Sequence, residues 1–171
     1  DLTLRGDQPL VLNGVLSGLG AANRTLNVNM NDTAPASVGA AGSISPSNDT
    51  TAVRTFIIND NIFNHTTTIA GQLTNGTSGL LHSYQKGGNG ILILSAANTF
   101  DGATVAGGRL LFSADAHLGA AGGAIVLDGG SIGTTSAAPS GLTINRGLEL
   151  ASNGGIDVAR NLLTWSGTVS G

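Results

Sequence analysis

The side chains able to do acid–base or metal chemistry are few: nine aspartates, Glu149 and three histidines in 171 residues. A glycan-cleaving or lyase-type β enzyme needs two carboxylates close together on one face, one as acid and one as base. Here most aspartates sit beside Gly, Asn or another turn-former, as do Asp7, Asp49, Asp60, Asp101 and Asp128, so turn and corner duty is the expected role. Asp101, Asp115 and Asp128 follow one another at 14 and 13 residues, too short for one full turn of a stacked coil, and would align only on irregular turns. His65, His82 and His117 show neither H-x-x-x-H nor H-E-x-x-H spacing, so a zinc site is not expected. The chain has no G-x-S-x-G, P-loop or G-x-G-x-x-G segment. Asn27, Asn29, Asn31 and Asp32, and Asn59, Asp60 and Asn61, offer hard oxygen ligands, but no loop combines three spaced acids with Gly. Amide-to-amide ladders along a coil are their expected role. No catalytic residue, metal or cofactor is expected.

One tripeptide has a partner attached to it. Arg5-Gly6-Asp7 lies between the apolar runs Leu2-Leu4 and Leu10-Leu12, where a turn would expose it. It resembles the integrin-binding sequence that some bacterial adhesins display, although Gly-Asp is also simply a good turn. Asn-x-Thr sequons stand at Asn23, Asn31, Asn48, Asn64 and Asn75. They would mark glycosylation in a eukaryotic secreted protein and are expected to be silent in a bacterial one.

Composition narrows the scaffold that must position these groups. The chain is 10% charged, 40% hydrophobic and 4% aromatic, with 27 glycines and no cysteine. So many apolar residues and so little charge argue against disorder. Lys86 and Glu149 are the sole Lys and Glu, which leaves no material for salt-bridged surface helices. The fold should be all-β. A net charge of −3, with seven basic residues scattered, offers no stripe for phosphates, so nucleic acid is not an expected partner. No apolar run approaches the roughly 20 residues of a membrane-spanning helix. The absence of Cys excludes disulfides and thiolate metal sites. With no signal peptide and repeat-like sequence at both ends, the chain reads as a segment of something longer.

Short apolar runs between turn-formers read as strands. The expected strands include Leu2-Leu4, Leu10-Leu12, Leu26-Met30, Val53-Ile58, Ile91-Leu94, Arg109-Phe112, Ile125-Leu127, Leu142-Ile144, Leu148-Leu150, Ile156-Val158 and Leu162-Trp165. Residues 31–52, with Pro35 and Pro46, are expected to form the long loop, and 137–141 around Pro139 a second break. The pattern apolar-x-Gly-x-apolar-polar-small occurs at 12–18, 69–75 and 165–171, and such recurrence marks a solenoid. The expected fold is a right-handed parallel β-helix of seven or eight turns, each of roughly 20 to 25 residues, in a prism roughly 35 Å long. A β-sandwich is the alternative that short strands also permit. Gly107-Gly108, Gly122-Gly123 and Gly129-Gly130 are expected at corners, along with Asn98, Asn145, Asn153 and Asn161. Ile91, Ile93, Leu110, Phe112, Ile125 and Leu127 are expected to point inward, and Leu92, Leu94 and Leu111 outward.

Residues 88–110 read GNGILILSAANTFDGATVAGGRL. This run resembles the passenger-associated transport repeat (autotransporter β-strand repeat), typically G-x-G-x-L-x-L-x-G-x-N-T-Y-x-G-x-T-x-V-x-x-G-x-L. Phe100 stands for the usual Tyr, Ala96-Ala97 for Ser or Gly, and Ala103 for a frequent Gly. The likeness is clear over 86–133, continues in further rungs over 142–171, and is weaker over 1–85. The resemblance implies a single β-helical segment, 1–171, of a Gram-negative autotransporter passenger, at the cell surface or secreted. It implies a structural stem that supports secretion and adhesion or virulence rather than an enzyme, with an outer-membrane barrel elsewhere in the parent protein. The implied partner is a host-cell surface or extracellular-matrix component, or a second copy through self-association. A toxin-type passenger and a glycan-cleaving β-helix are the other readings. A chain that threads an outer-membrane pore unfolded would gain from lacking Cys, since a periplasmic disulfide would close a loop.

Overall fold

The structure is a computed structural model that describes residues 1–17, 24–30, 36–45, 52–75, 79–159 and 162–171. The backbone winds in successive turns. The first carries β1 (Leu2–Gly6), β2 (Leu10–Leu12) and β3 (Val15–Ser17), and the second β4 (Arg24–Met30), β5 (Ala36–Val38) and β6 (Ser43–Ser45). The third carries β7 (Thr55–Asp60), β8 (Thr66–Ile69) and β9 (Gln72–Leu73). The fourth has β10 (Ser83–Gly87) and β11 (Ile91–Leu94), and the fifth β12 (Ala103–Val105) and β13 (Arg109–Phe112). Next come β14 (Ile125–Leu127), β15 (Ser131–Thr134) and β16 (Leu142–Ile144), then β17 (Leu148–Leu150), β18 (Gly155–Asp157) and β19 (Leu163–Trp165). β20 (Val169–Ser170) opens an eighth turn.

Every strand pair is parallel. One sheet of eight strands runs β1-β4-β7-β10-β12-β14-β17-β20, and a second of seven runs β2-β5-β8-β11-β13-β15-β18. The third side is broken into β3-β6-β9 and β16-β19. Between those pieces, Thr99 N donates to Leu73 O, and Ala120 N to Phe100 O, so the ladder continues there without strands. No α-helix occurs among the described residues, which hold one 3₁₀ turn, Asp115–Leu118. This is a parallel β-helix, and it excludes the sandwich.

One inward column shows the register: Leu2, Leu26, Ile58, Lys86, Val105, Leu127 and Leu150 stack in turn. Their spacings of 24, 32, 28, 19, 22 and 23 residues straddle the expected range, with the second and third turns the longest. The three apolar runs of 91–127 do not form one column. β11 lies directly beneath β13, with Ile91 paired to Arg109, whereas β14 belongs to the other large sheet and covers β12. The strand β12, Ala-Thr-Val, escapes notice in the sequence because three residues are too few for its alternation to show. The other expected runs match strands within a few residues, β3, β8, β9, β10, β15 and β20 correspond to no expected run, and 137–141 is the expected break before β16.

Two expectations are corrected. Residues 31–52 are not one long loop: β5 and β6 lie within them, and Ala36, Val38 and Ile44 are buried. Three-residue strands of small side chains are too short for a period to show; Pro35 and Pro46 lie outside the described residues. In β11, Leu92 and Leu94 are buried and Ile91 and Ile93 half-exposed, the reverse of the expected facing. Leu110, Phe112, Ile125 and Leu127 do point inward and Leu111 outward. Four consecutive apolar residues cannot say which pair is inside, because a one-residue slip exchanges the faces; the pairing of Leu92 with Thr67 and Leu110 decides it.

The interior is also less purely aliphatic than the composition suggests. Phe56, Tyr84 and Phe100 stack through the turns with ring centroids 5.6 and 4.9 Å apart, a geometry that adds to burial alone. The register makes a direct prediction. Leu92→Ala should cost about 2–4 kcal/mol in the free energy of urea unfolding and Ile93→Ala under about 1 kcal/mol. Equal losses would mean that β11 faces the other way.

Candidate functional site

Inside the apolar column one position is a lysine. Lys86 lies between Ile58 and Val105 in the register and is 2% exposed. Its methylene stem fills the place of an aliphatic side chain, while the ammonium reaches the corner of the coil. There Lys86 Nζ donates to the carbonyls of Gly87 (2.5 Å), Gly88 (3.2 Å) and Gly107 (3.3 Å). Those carbonyls belong to the corners of two successive turns, so one ammonium clamps both. Burial lowers its pKa to about 8, with the Asp60 carboxylate pulling the other way.

Asp60 ends β7 with its side chain inward and fully buried. Asp60 Oδ2 receives Thr67 Oγ1 at 2.7 Å and lies 2.6 Å from His65 Nδ1, and Oδ1 accepts Ile62 N at 3.4 Å. An acid, an imidazole and a hydroxyl in contact have the parts of a catalytic relay. They are nevertheless enclosed: His65 and Thr67 are 2% exposed and Asp60 is fully buried. The network fixes the turn from β7 to β8, where Asn64 takes φ 61, the sole positive φ of a non-glycine among the described residues.

A second buried cation, Arg146, lies between β16 and β17. Arg146 is 3% exposed, and its guanidinium pairs with both Asp115 oxygens at 3.0 Å. It also donates to the carbonyls of Leu118 (2.8 Å), Ala120 (3.0 Å) and Gly123 (3.1 Å), while its own carbonyl accepts Trp165 Nε1 at 2.7 Å. The irregular segment 115–123 is thus wrapped around a side chain from the next turn. Asn98 does similar work beside it: Oδ1 accepts Leu73 N (2.8 Å) and Nδ2 donates to His117 O (2.6 Å), joining three turns. Asn98, Asn145 and Asn153 do not take the left-handed conformation; Asn64 does, and Asn161 lies outside the described residues.

The expected amide ladders are present. Asn59 Nδ2 donates to Asn27 Oδ1 at 3.1 Å, and Asn61 Nδ2 to Asn29 Oδ1 at 2.9 Å. Asn31 and Asp32 lie outside the described residues. Arg5, Gly6 and Asp7 are exposed at the corner between β1 and β2, with Arg5 in the strand opposite Asn29 and Asp7 just past it. The acids do not gather: Asp115 is held by Arg146, and Asp128 is exposed on a corner. Among the described residues no three of His, Cys, Asp and Glu come together as a metal site. Asn75 binds Thr99 O and His82 N through its amide, which occupies that sequon, while Asn23, Asn31 and Asn48 lie outside the described residues.

The corners explain the glycines of the repeat. Arg109 N donates to Gly90 O at 3.1 Å, so Gly108 sits over Gly90 and Gly107 over Gly88. A Cβ on Gly108 would collide with the Gly90 carbonyl and one on Gly107 with the Gly88 carbonyl. The run from Gly88 to Leu110 therefore completes one turn of coil and begins to stack on itself, its glycines placed where backbone lies on backbone. Reading by motif missed Lys86 and Arg146 as structural centres. The available signal was their isolation: a charge alone in a Gly- and Ala-rich setting, beside the carbonyls of corners.

Comparison with known protein families, with curated proteins and with solved structures finds no match. The likeness to the passenger-associated repeat rests on the residues of 88–110 themselves.

Stability should climb with pH, peak near pH 10 and then fall. Burial lowers the His117 pKa, its Leu94 hydrogen bond opposing, so the unfolded chain binds that proton more tightly and stability rises through about pH 6.5. Lys86, at about 8 when folded against 10.5 ordinarily, adds about 3 kcal/mol between those values. Burial raises Tyr84 well above 10.0, which reverses the slope beyond it. Urea midpoints across pH test this, and Lys86→Met should flatten the rise between pH 8 and 10. Separately, Arg146→Met should cost about 3–5 kcal/mol, because Asp115 and several carbonyls lose their donor. Limited proteolysis should then cut within 115–123, and an uncut, equally stable variant would refute the clamp.

Proposed function

We propose that this chain is a stretch of the β-helical stem of a Gram-negative autotransporter passenger, which supports secretion and carries adhesive surfaces outward from the cell. The observation behind this reading is the coincidence of the repeat with one turn of coil. Its glycines fall at the backbone-on-backbone corners, its Leu92, Leu94, Val105 and Leu110 face the core, and Asn98 and Phe100 make the third side. A stem built this way has a use in export. Each turn finds its hydrogen-bond partners in the turn before it, so turns emerging one after another from a pore can add to an existing edge. Free energy released outside the membrane then biases the chain outward.

The partners proposed are a host-cell surface or matrix component, or a second copy of the chain, with an outer-membrane barrel in the same parent protein. The exposed Arg5-Gly6-Asp7 corner is the one integrin-type element in this stem. Two experiments test these readings separately. Fused to a C-terminal outer-membrane barrel in a Gram-negative cell, residues 1–171 should reach the surface as a folded, protease-resistant body. Retention in the periplasm, while a control passenger on the same barrel is displayed, would sink the stem. In cell-attachment assays, Asp7→Ala should reduce adhesion to integrin-bearing cells; unchanged attachment removes the tripeptide and leaves the stem standing.

A further inference from the structure

Of the large apolar side chains exposed among the described residues, Phe63 is the most exposed, at 73%. Several of the others, such as Leu150, Ile156, Leu162 and Val169, belong to the last turns, where the stack offers no further cover. Phe63 is different, because its turn lies in the middle of the stack with paired strands on both sides. The turn that carries it is rigid. His65 N donates to Ile62 O, and the buried Asp60, His65 and Thr67 network fastens both ends. Asn64, beside Phe63, takes φ 61, the left-handed conformation that Asn tolerates at a turn. A buried network thus anchors a turn that carries an aromatic ring in water.

Phe63 borders a notch of about 210 Å³ that crosses three turns of the coil. Phe63 and Asn64 form one wall, Asn89 and Ile91 the next, and Gly108 and Arg109 the last. Gly108 lines the notch with backbone alone. Arg109 is held from its far side by Asp157, with Nε and Nη2 each 2.9 Å from Oδ2, so its charge is already balanced.

We propose that this notch binds one ring of a neutral hexopyranose glycan. Phe63 would take the C–H face of the ring, and the carboxamides of Asn64 and Asn89, which both donate and accept, would meet its hydroxyls. The Arg109 guanidinium, which lines the notch, supplies a further donor. A phosphate or carboxylate ligand is disfavoured because Asp157 neutralises the cation. An extended peptide finds no free edge, since β8, β11 and β13 are paired on both sides. The volume suits a single ring and is below that of a drug-sized pocket. The site stands on this local geometry and is independent of the export reading.

The test is an NMR titration of the labelled protein with methyl glycosides of glucose, galactose, mannose and N-acetylglucosamine and with their short oligosaccharides. At least one should shift the amides of residues 63–64, 89–91 and 108–109 in a saturable way. Phe63→Ala should weaken that binding at least about tenfold, with the melting temperature unchanged because the ring is exposed. Asn89→Ala should weaken it several-fold. The proposal is overturned if no sugar shifts those amides, if Phe63→Ala binds as the parent does, or if only charged glycans bind.

Discussion

Everything in this protein answers to one requirement: each turn of backbone must lie about 4.8 Å above the last and hydrogen-bond to it. On the flat sides that is easy, because parallel strands provide it residue by residue. At the corners the chain changes direction while still lying on its neighbour, and there is no room for a side chain between them. Gly107 and Gly108 above Gly88 and Gly90 are the clearest case. The glycine spacing of the repeat is thus a measure of the circumference of the coil.

The same stacking leaves a polar problem. Corners hold carbonyls that no ladder satisfies, and an unpaired buried carbonyl costs about as much as a lost hydrogen bond. The chain meets this with a few long donors sent from the interior. Lys86 serves two corners, Arg146 an entire irregular segment, Asn98 three turns, and Tyr84 Oη reaches Ile44 O at 2.9 Å across the core. Among the described residues no buried side-chain nitrogen or oxygen lacks a partner. Long-range bonds of this kind join turns that are 19 to 40 residues apart in sequence. They make the stack cooperative beyond nearest strands.

A body so constrained inside is free outside. Outward side chains on the large sheets, such as Ile91, Ile93, Arg109 and Leu111, are half-exposed, so surface chemistry has more say in them than in the core. That separation suits a stem, whose length and rigidity come from the core and whose contacts come from what is mounted on it. The Phe63 turn illustrates the division: a buried Asp–His–Thr frame below, an exposed ring above.

Short apolar runs, abundant glycine and one near-complete repeat were enough to read the all-β coil, most strand positions, the Asn ladders and the corner glycines from the residues. These are local features, and local features survive in a one-dimensional text. The facing of β11, the membership of β14, the strands hidden in 31–52 and the roles of Lys86 and Arg146 were not legible there. Each depends on which residue of another turn lies alongside, a matter of register between segments some twenty to thirty residues apart. Four apolar residues in a row fit either face, and a lone cation fits surface or core equally well. Only the stacked neighbour, Thr67 beneath Leu92 or the Gly107 carbonyl above Lys86, removes the choice.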